Sequence, residues 1–485
     1  MKVLLINPPN HNEIIGNNPP VIEEERGYNP PLGLLYLAGY LEQHSQHQVE
    51  VLDCQVSEIG YERLRELVAE RQPEVVGVTV MTFTILDVIK TVGLVKEAAP
   101  SARVVLGGPH AHIFPRETIS LPGVDYLVRG EGEIPFFELV EHLDDHRYLA
   151  RVPGLVFMRE GQVVDTGTPP LNTHLDELPF PSRHLTPYQK YSSVLASRNP
   201  VTTMITSRGC PFKCIFCDRP HLGKRFRARS ANNVVDEMQL CAEMGIRYFL
   251  IYDDTFTINR QRVLDICAEI RRRRLDIAWD IRARVDTIDR DILGALASAG
   301  CQGIHYGVEA GSDRILKVLG KGITLQQVRE AFRLTKQAGI STLAYFMIGA
   351  PSETREDILQ TINLACELDP DLVHMTILTP FPATSLYFRG LEEGFIDRDY
   401  WREFAANPTA DFQPPYWEEN LTRDELIDLI DLAYKKFYTR PRYVIRQVLK
   451  VRSWREFRRK AAAGLKVLRS GARRRQHERQ GRDRS

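Results

Sequence analysis

The chain has 485 residues, 43% of them hydrophobic and 26% charged, a composition typical of a globular protein with two or three domains. No apolar run reaches the roughly 18 residues that a membrane-spanning helix needs. The apolar run in the N-terminal segment MKVLLINPPN is too short for a signal peptide, so we expect a cytoplasmic protein. The net charge is zero, but residues 440–485 hold 17 Lys and Arg against 3 Asp and Glu, and the remainder holds 46 against 60. This acidic body argues against nucleic acid as a partner.

Residues 1–145 alternate short β-branched runs with segments of helical periodicity. The runs lie at 2–7, 49–54, 75–80, 103–108 and 124–130. Because strand and helix alternate, we predict an α/β domain with a doubly wound, Rossmann-like parallel sheet. Ligands of such sheets bind at the carboxyl ends of the strands, where this chain has loops rich in Gly, Pro, Thr and Asn.

Residues 146–195 are rich in proline and predict a linker with one small hairpin near 154–164. Residues 196–385 return to alternating strands and helices, with strand-like runs at 201–207, 248–254, 277–284, 303–310, 341–350 and 372–381. Six such units predict a partial (βα)6 barrel of the TIM type, with its chemistry at the C-terminal mouth.

Residues 386–485 predict a helical region with a basic tail, in which aromatic and aliphatic residues alternate with Arg. One interpretation is a solvated basic helix with a disordered end. The other is an interfacial anchor that brings the protein to the inner surface of an anionic membrane carrying a lipid-like substrate.

Three of the eight cysteines are clustered in SRGCPFKCIFCDRP, at Cys210, Cys214 and Cys217. Three thiolates on one short loop can bind three irons of a cubane cluster and leave the fourth iron open for a substrate. The main alternative is a structural zinc site formed with a distant His, although zinc motifs usually come as pairs of C-x2-C and this chain has no second pair. The other five cysteines lie among apolar neighbours and predict small buried residues.

This C-x3-C-x-aromatic-C pattern, with Phe216 as the aromatic residue, resembles the radical S-adenosylmethionine (SAM) superfamily over residues 196–385. The resemblance implies a 4Fe-4S cluster that binds SAM at its open iron and cleaves it to a 5′-deoxyadenosyl radical, with electrons from a flavodoxin- or ferredoxin-type reductase. By position it implies that SAM is contacted by Phe216, Asp253, Asp254, Arg284, Glu309 and Gly349. Each of these residues taken alone could also be an ordinary surface charge or turn.

The segments LINPPN, GGPHA and VRGEGE of the N-terminal domain resemble the cobalamin-binding domain found in one subclass of that superfamily. The resemblance implies cobalamin contacts at Asn7, Pro8, Thr79, Thr82, Gly107, Gly108, Pro109, His110, Gly130, Glu131 and Gly132. No D-x-H-x-x-G motif is present, so no histidine is evidently placed to ligate cobalt, and His110 and His112 are only weak candidates. The alternatives are a domain that serves as a scaffold or binds a nucleotide, although the absence of G-x-G-x-x-G argues against a dinucleotide.

Three functions are compatible with these motifs. The first is methylation of an unactivated carbon in a lipid, tetrapyrrole or natural product, with cobalamin as the methyl carrier. The second is radical cyclisation or rearrangement without methyl transfer, because LDELPFP and FYTRPRYV resemble segments of anaerobic magnesium-protoporphyrin ester cyclases and hopanoid-modifying enzymes. The third is a non-catalytic metal-binding or corrinoid-carrier protein.

Overall fold

A computed structural model describes residues 1–14, 27–193, 195–217 and 222–449. Two large sheets dominate the described part of the chain, one of seven strands and one of six. Both are built around parallel strands connected by helices. The α/β class and the two-sheet architecture predicted from the sequence are therefore confirmed.

The first sheet contains the first seven strands of the chain. They are β1 (Lys2–Asn7), β2 (Gln48–Asp53), β3 (Val75–Thr79), β4 (Arg103–Gly107), β5 (Tyr126–Val128), β6 (Leu155–Arg159) and β7 (Gln162–Asp165). Their order is β2-β1-β3-β4-β5-β6-β7, with β1 to β5 parallel and β6 and β7 antiparallel. The hairpin predicted within the linker is β6–β7. It pairs with β5 and so extends the sheet.

Helices cover both faces of this sheet. They are α1 (Leu32–His44), α2 (Tyr61–Arg71), α3 (Ile85–Ala98), α4 (Pro109–Ile113), α5 (Pro115–Ile119), α6 (Glu133–Glu141) and α7 (His146–Leu149). Side chains of β1 alternate between two cores: Leu5 packs with α1 and α6, whereas Leu4 packs with α2 and α3. Because successive strand residues point to opposite faces, both faces are apolar and the sheet is doubly wound.

The second sheet is entirely parallel and curls into a half-barrel. Its strands are β8 (Val201–Met204), β11 (Tyr248–Ile251), β12 (Ala278–Ala283), β13 (Cys301–Glu309), β14 (Ser341–Ile348) and β15 (Leu372–Ile377), in the order β15-β14-β13-β12-β11-β8. The intervening helices are α8 (Ala231–Glu243), α9 (Arg260–Arg272), α10 (Arg290–Ser298), α11 (Asp313–Val318), α12 (Leu325–Gln337) and α13 (Arg355–Leu368). A short antiparallel ribbon of β9 (Ser207–Arg208) and β10 (Arg227–Ala228) flanks the cysteine loop.

The described C-terminal helices are α14 (Ser385–Glu393), α15 (Tyr400–Ala406), α16 (Arg423–Tyr438) and α17 (Pro441–Leu449). Helix α16 covers the edge strand β15, where the Tyr434 hydroxyl bonds both the amide and the carbonyl of Met375 at 3.0 Å. Helix α15 packs into the core of the first sheet through Trp401 and Phe404. Among the described helices, none has the length and apolar character needed to cross a membrane. Most of the predicted basic tail, residues 450–485, lies outside the described residues.

Candidate functional site

The cysteine loop follows β9 at the carboxyl end of the half-barrel. Cys210 and Cys214 are half-buried and Cys217 is exposed. The Ile215 amide donates a hydrogen bond to the Leu319 carbonyl (3.1 Å), and the Ile215 carbonyl accepts one from the Leu386 amide (2.9 Å). These two bonds attach the centre of the loop to the segment after α11 and to the first turn of α14, so the loop has a defined position.

Two cations lie close to Cys214. Burial raises the pKa of the Cys214 thiol, whereas the charges of Lys321 and Arg284 lower it; Glu309 and Cys210 also lie near enough to raise it. A cation beside a thiol favours the thiolate, which is the form that binds iron. Burial outweighs the two cations, so the pKa of the Cys214 thiol stays above its usual value, and Lys321 and Arg284 reduce the size of this rise.

Arg284, predicted from the sequence, is buried directly beneath the cysteine loop. Its guanidinium lies 3.7 Å from the ring centroid of Phe212. It also bonds the Asp286 carboxylate twice at 2.9 Å and the Lys321 carbonyl at 2.8 Å. Because it has these partners, Arg284 supports the loop as well as bordering the mouth.

Glu309, also predicted, pairs with Lys321 at 2.6 Å, and both side chains are buried. A methyl group at Gly307 would lie 2.4 Å from the Glu309 carboxylate and 2.8 Å from the Lys321 ammonium, so this pair occupies the space that the glycine leaves open. Sequence reasoning missed Lys321, which lies in an unremarkable connection, LGKG, between two helices. The glycines on either side were the only local signal.

Gly320 provides a direct test of the loop's support. It has φ of +64°, and a methyl group there would lie 2.9 Å from the Lys213 carbonyl oxygen. We expect Gly320→Ala to displace the cysteine loop and to lower the iron bound after anaerobic reconstitution at least twofold. Iron and sulfide assays measure this effect. Gly322→Ala is the matched control, because Gly322 has φ of +67° and open space around it. Equal losses in the two variants would contradict the prediction.

Asp253 and Asp254, the predicted acidic pair after β11, lie in different environments. Asp253 is buried and accepts hydrogen bonds from the Thr206 amide and hydroxyl, both at 2.6 Å, and from the Ser207 hydroxyl. It therefore positions the strand that leads into the cysteine loop. Asp254 and Phe216 are half-buried, and Phe216 packs against the half-barrel core.

Gly349 lies in a turn after β14 with φ of +85°, and a buried carboxylate holds that turn. The Glu353 carboxylate accepts hydrogen bonds from the amides of Gly349 (2.6 Å) and Ala350 (2.9 Å). Sequence reasoning selected Gly349 and missed Glu353, although the spacing GAPSE was visible.

Glu353 predicts a specific dependence of stability on pH. Burial raises its pKa from 4.5 to about 7, against the backbone hydrogen bonds that lower it. At a pH between 4.5 and about 7 this carboxyl group is ionised in the unfolded chain but protonated in the folded protein. The free energy of unfolding therefore falls as pH rises through this range, by roughly 3 kcal/mol in total. We expect the urea midpoint of the wild type to fall more between pH 5 and pH 8 than that of Glu353→Gln. Glu330→Gln, on an exposed part of α12, is the control, and identical pH profiles for the wild type and Glu353→Gln would refute the assignment.

The predicted cobalamin residues gather at the carboxyl edge of the first sheet. Gly107 ends β4, Thr79 ends β3, and Pro109 begins α4. Gly108 has φ of +126°, and a methyl group there would lie 2.6 Å from the Val80 carbonyl oxygen. Because Gly108 has no side chain, the turn after β4 packs directly against the backbone that follows β3, which brings these two strand ends together.

His110 and Asp53 are buried polar side chains at this edge. The Nδ1 atom of His110 lies 3.1 Å from the Thr82 hydroxyl, while Nε2 is buried without a hydrogen-bond partner among the described residues. Burial lowers the pKa of His110 to about 4, so its imidazole is neutral. Asn7 donates to the Asp53 carboxylate (2.8 Å), which also accepts from the Tyr191 hydroxyl (2.8 Å). The buried Nε2 atom of His110, which has no hydrogen-bond partner among the described residues, fits a bound cofactor at this edge.

The predicted cobalamin-binding loop after β5 contains an acidic residue whose carboxylate forms an ion pair within the protein. Gly130 donates its amide to His112 Nδ1 (3.1 Å), and Gly132 lies close to Leu37. The Glu131 carboxylate, however, pairs with buried Arg227 at 2.7 Å. Pro8, on the loop after β1, accepts a hydrogen bond at its carbonyl from Gln55 (3.2 Å).

Glu131 and its neighbour Glu133 connect the two sheets. Arg208, in β9 immediately before the cysteine loop, pairs with both Glu133 and Glu131 and is almost fully buried. The two glutamates hold the pKa of Arg208 above its usual value, although burial lowers it. The cofactor edge of the first sheet and the cysteine loop are thus joined by buried ion pairs, which sequence reasoning did not predict.

Within the described ranges, no three His, Cys, Asp or Glu side chains converge as ligands of one metal ion. This finding gives no support to the zinc alternative. A cubane cluster does not need such convergence, because each thiolate binds a different iron.

Comparisons with known proteins agree with this arrangement. The radical SAM superfamily model matches residues 204–365, and the B12 binding domain model matches residues 20–140. The chain is 34% identical to an uncharacterized methyltransferase of Pyrococcus horikoshii over 92% of this chain and 95% of that protein. It is 30% identical to the anaerobic magnesium-protoporphyrin IX monomethyl ester cyclase of Rubrivivax gelatinosus over 90% of this chain and 77% of that protein.

Two solved structures share the fold. The cobalamin-dependent SAM radical enzyme OxsB has a TM-score of 0.73 and 18% identity, covering 96% of this chain and 72% of that chain. The SAM methyltransferase TsrM of Kitasatospora setae, solved with cobalamin and a 4Fe-4S cluster, has a TM-score of 0.67 and 23% identity, covering 81% and 78%.

The chain is therefore an enzyme of the radical SAM superfamily. Within that superfamily it belongs to the cobalamin-dependent branch that contains methyltransferases and the anaerobic ester cyclases. Its cofactors are a 4Fe-4S cluster, SAM and cobalamin.

Proposed function

We propose that this protein methylates an unactivated carbon of a lipid, tetrapyrrole or natural-product substrate. The observation that carries the proposal is the cysteine loop braced by Lys321 and Arg284 and joined by buried ion pairs to the cofactor edge of the first sheet. The similarity to the Pyrococcus methyltransferase over nearly the whole chain supports it, as does 27% identity to a hopanoid C-3 methylase of Methylococcus capsulatus.

In this proposal Cys210, Cys214 and Cys217 hold the cluster. When bound, the reduced cluster supplies the electron that cleaves SAM, and cobalamin supplies the methyl group. Lys321 and Arg284 partly offset the effect of burial on the pKa of the Cys214 thiol, and Arg284 contacts the loop through the Phe212 ring. SAM is bordered by Phe216, Asp254, Arg284, Glu309 and Gly349, and Asp253 acts by positioning β9.

The cobalamin contacts of this proposal come from the carboxyl edge of the first sheet. They are Asn7, Pro8, Thr79, Thr82, Gly107, Gly108, Pro109, His110, Gly130 and Gly132. Neutral His110 can donate or accept one hydrogen bond at Nε2, whereas Glu131 contributes through Arg227, with which its carboxylate pairs.

The second candidate function keeps the same cofactors and closes or rearranges a substrate without methyl transfer. The identity of 30% to the Rubrivivax ester cyclase over 90% of this chain favours it. The two functions differ in their by-products, because methyl transfer regenerates the methyl carrier from a second SAM and so releases S-adenosylhomocysteine.

One experiment separates these candidates. The protein is reconstituted anaerobically with iron, sulfide and cobalamin, and is then given dithionite, SAM and an extract of small metabolites. We expect 5′-deoxyadenosine and S-adenosylhomocysteine to form together as a methylated product accumulates. Product with 5′-deoxyadenosine but without S-adenosylhomocysteine would exclude methyl transfer. Absence of 5′-deoxyadenosine from protein with a full cluster would exclude both functions.

A further proposal concerns the electron donor, for which we expect a flavodoxin- or ferredoxin-type reductase. Exposed Lys213 lies within the cysteine loop. Exposed Lys224 and Arg225 belong to a segment that passes beside the start of the loop, where a methyl group at Gly209 would lie 2.3 Å from the Arg225 carbonyl oxygen. An acidic redox protein would be attracted to this surface. Reduction by flavodoxin that does not slow with rising salt would contradict this proposal.

A last proposal concerns peripheral membrane contact. Helix α17 exposes Val444, Ile445 and Leu449, at 45%, 59% and 79%. It is followed in the sequence by a strongly basic segment, which would be attracted to anionic lipid. Failure of the full chain to sediment with phosphatidylserine vesicles at low salt would contradict this proposal.

A further inference from the structure

The inner face of the half-barrel carries a row of polar side chains. In β12, Trp279, Ile281 and Ala283 pack into the core shared with the helices. Because side chains alternate along a strand, Asp280 and Arg282 point to the opposite, concave face, as does Arg284 just after the strand. Arg282 lies two residues before Arg284, so it is about 7 Å further into the half-barrel from the cysteine loop.

Neighbouring strands continue this row at the same level. Arg282 is in register with His305 of β13, and His305 is in register with Leu343 of β14. Tyr345, two residues along β14, points to the same face and places its hydroxyl 3.3 Å from His305 Nδ1. The concave face beneath the mouth is thus lined with hydrogen-bonding groups.

Arg282 is half-buried and has no counterion among the described residues. Its guanidinium lies 4.0 Å from the ring centroid of Tyr252, whose hydroxyl accepts a hydrogen bond from Asn29. Among the described residues, no carboxylate or carbonyl oxygen pairs with this guanidinium. Arg284 on the same face, by contrast, is bonded to Asp286 and to the Lys321 carbonyl.

The acid closest in the row does not neutralise Arg282. The Asp280 carboxylate accepts a hydrogen bond from the Tyr248 hydroxyl (2.7 Å) and lies 3.6 Å from His305 Nε2. The Arg282 guanidinium has five donors and always carries its charge, and its nitrogen atoms are not among the buried atoms without a partner, so they remain accessible. An anion that enters the half-barrel can therefore reach this charge and accept its hydrogen bonds.

We propose that Arg282 binds an anionic group of the substrate, a carboxylate or a phosphate, and that the Tyr252 ring orients the guanidinium fork toward it. This inference deepens the proposed function, because it names the chemical class of the substrate that reaches the mouth. Arg is suited to this role, since its planar fork matches either anion with two parallel hydrogen bonds.

The test uses the reconstituted holoenzyme with saturating SAM and three fluorinated probes observed by ¹⁹F NMR. The probes are 4-fluorobenzoate, 4-fluorophenyl phosphate and the neutral 4-fluorobenzamide. We expect one or both anions to bind, the amide to bind at least fivefold more weakly, and Arg282→Met to raise the Kd of the anion at least fivefold. Arg282→Lys should retain part of the binding. Arg247→Met, an exposed arginine at the start of β11, should leave binding unchanged.

Equal binding of amide and anions to the wild type would overturn the proposal without any variant. So would anion binding that survives in Arg282→Met, or an Arg282→Met variant whose affinity for SAM falls as much as its affinity for the anions. The last result would assign Arg282 to the carboxylate of SAM. The amount of 5′-deoxyadenosine formed by the same preparations tests the radical function separately, because probe binding does not depend on turnover.

Discussion

Replacing Cys214 with alanine is expected to abolish formation of 5′-deoxyadenosine from SAM and to remove most of the iron bound after reconstitution. Cys214 lies at the centre of the loop, close to Cys210 and to the cations Lys321 and Arg284. Two thiolates cannot hold three irons of a cubane, so the cluster should be lost or degraded. Iron and sulfide content, the visible absorption of the cluster and product by chromatography measure the effect.

Cys241→Ala is the matched control for this prediction. Cys241 is fully buried on α8 and burial raises the pKa of its thiol to about 11, so it is a packing residue with no tendency to ionise. The control should retain its cluster and its product. A Cys214→Ala protein with four irons and undiminished 5′-deoxyadenosine would show that the cluster is held elsewhere.

The largest expected effect on stability comes from Glu237. This glutamate of α8 is fully buried and pairs with Arg183 (2.6 Å) and with Arg229. Although burial raises the pKa of Glu237, the two arginines hold it below its usual value. Glu237→Ala leaves two buried guanidinium groups without their carboxylate, which should cost about 3–5 kcal/mol. Urea denaturation followed by circular dichroism measures the loss.

The loss of the Glu237 ion pairs should also displace the cysteine loop. Arg183 donates to the Thr203 carbonyl (3.0 Å) and Arg229 donates to the Ile205 carbonyl (3.2 Å), so the pair holds the end of β8 that leads into β9. We therefore expect a lower iron content in Glu237→Ala as well. Glu243→Ala, on an exposed turn of the same helix, is the control. A loss below about 1 kcal/mol would mean that the buried network relaxes or admits water.

The buried ion pairs explain how the two sheets act as one site. Arg208 ends the strand before the cysteine loop. Of its partners in the first domain, Glu131 lies in the loop after β5 and Glu133 begins α6. The sequence analysis assigned Glu131 to cobalamin because it occurs in VRGEGE at a strand end. The structure shows that its carboxylate is engaged by Arg227 and Arg208, and no local pattern reveals a partner about 80 to 100 residues away.

Several predictions followed from local order alone and could be made without coordinates. Strand and helix alternate in both halves of the chain, and a parallel sheet with crossover helices is the arrangement that this order permits. The cysteine spacing is equally local, since three ligands within eight residues must lie on one loop. The α/β class, the half-barrel and the position of the cysteine loop at its mouth were therefore predictable.

Contacts between distant residues decided the rest. Lys321 beside Cys214, Glu353 beneath the Gly349 turn and the arginines paired with Glu237 come from separate segments that meet only when the strands assemble. A charged residue looks the same in the sequence whether its side chain lies on the surface or in the core. Because burying a charge without a partner is strongly unfavourable, the packing of the folded chain determines which charged side chains form pairs. For the same reason Arg282 is recognisable only in the folded chain, where a half-buried guanidinium faces the half-barrel without a counterion among the described residues.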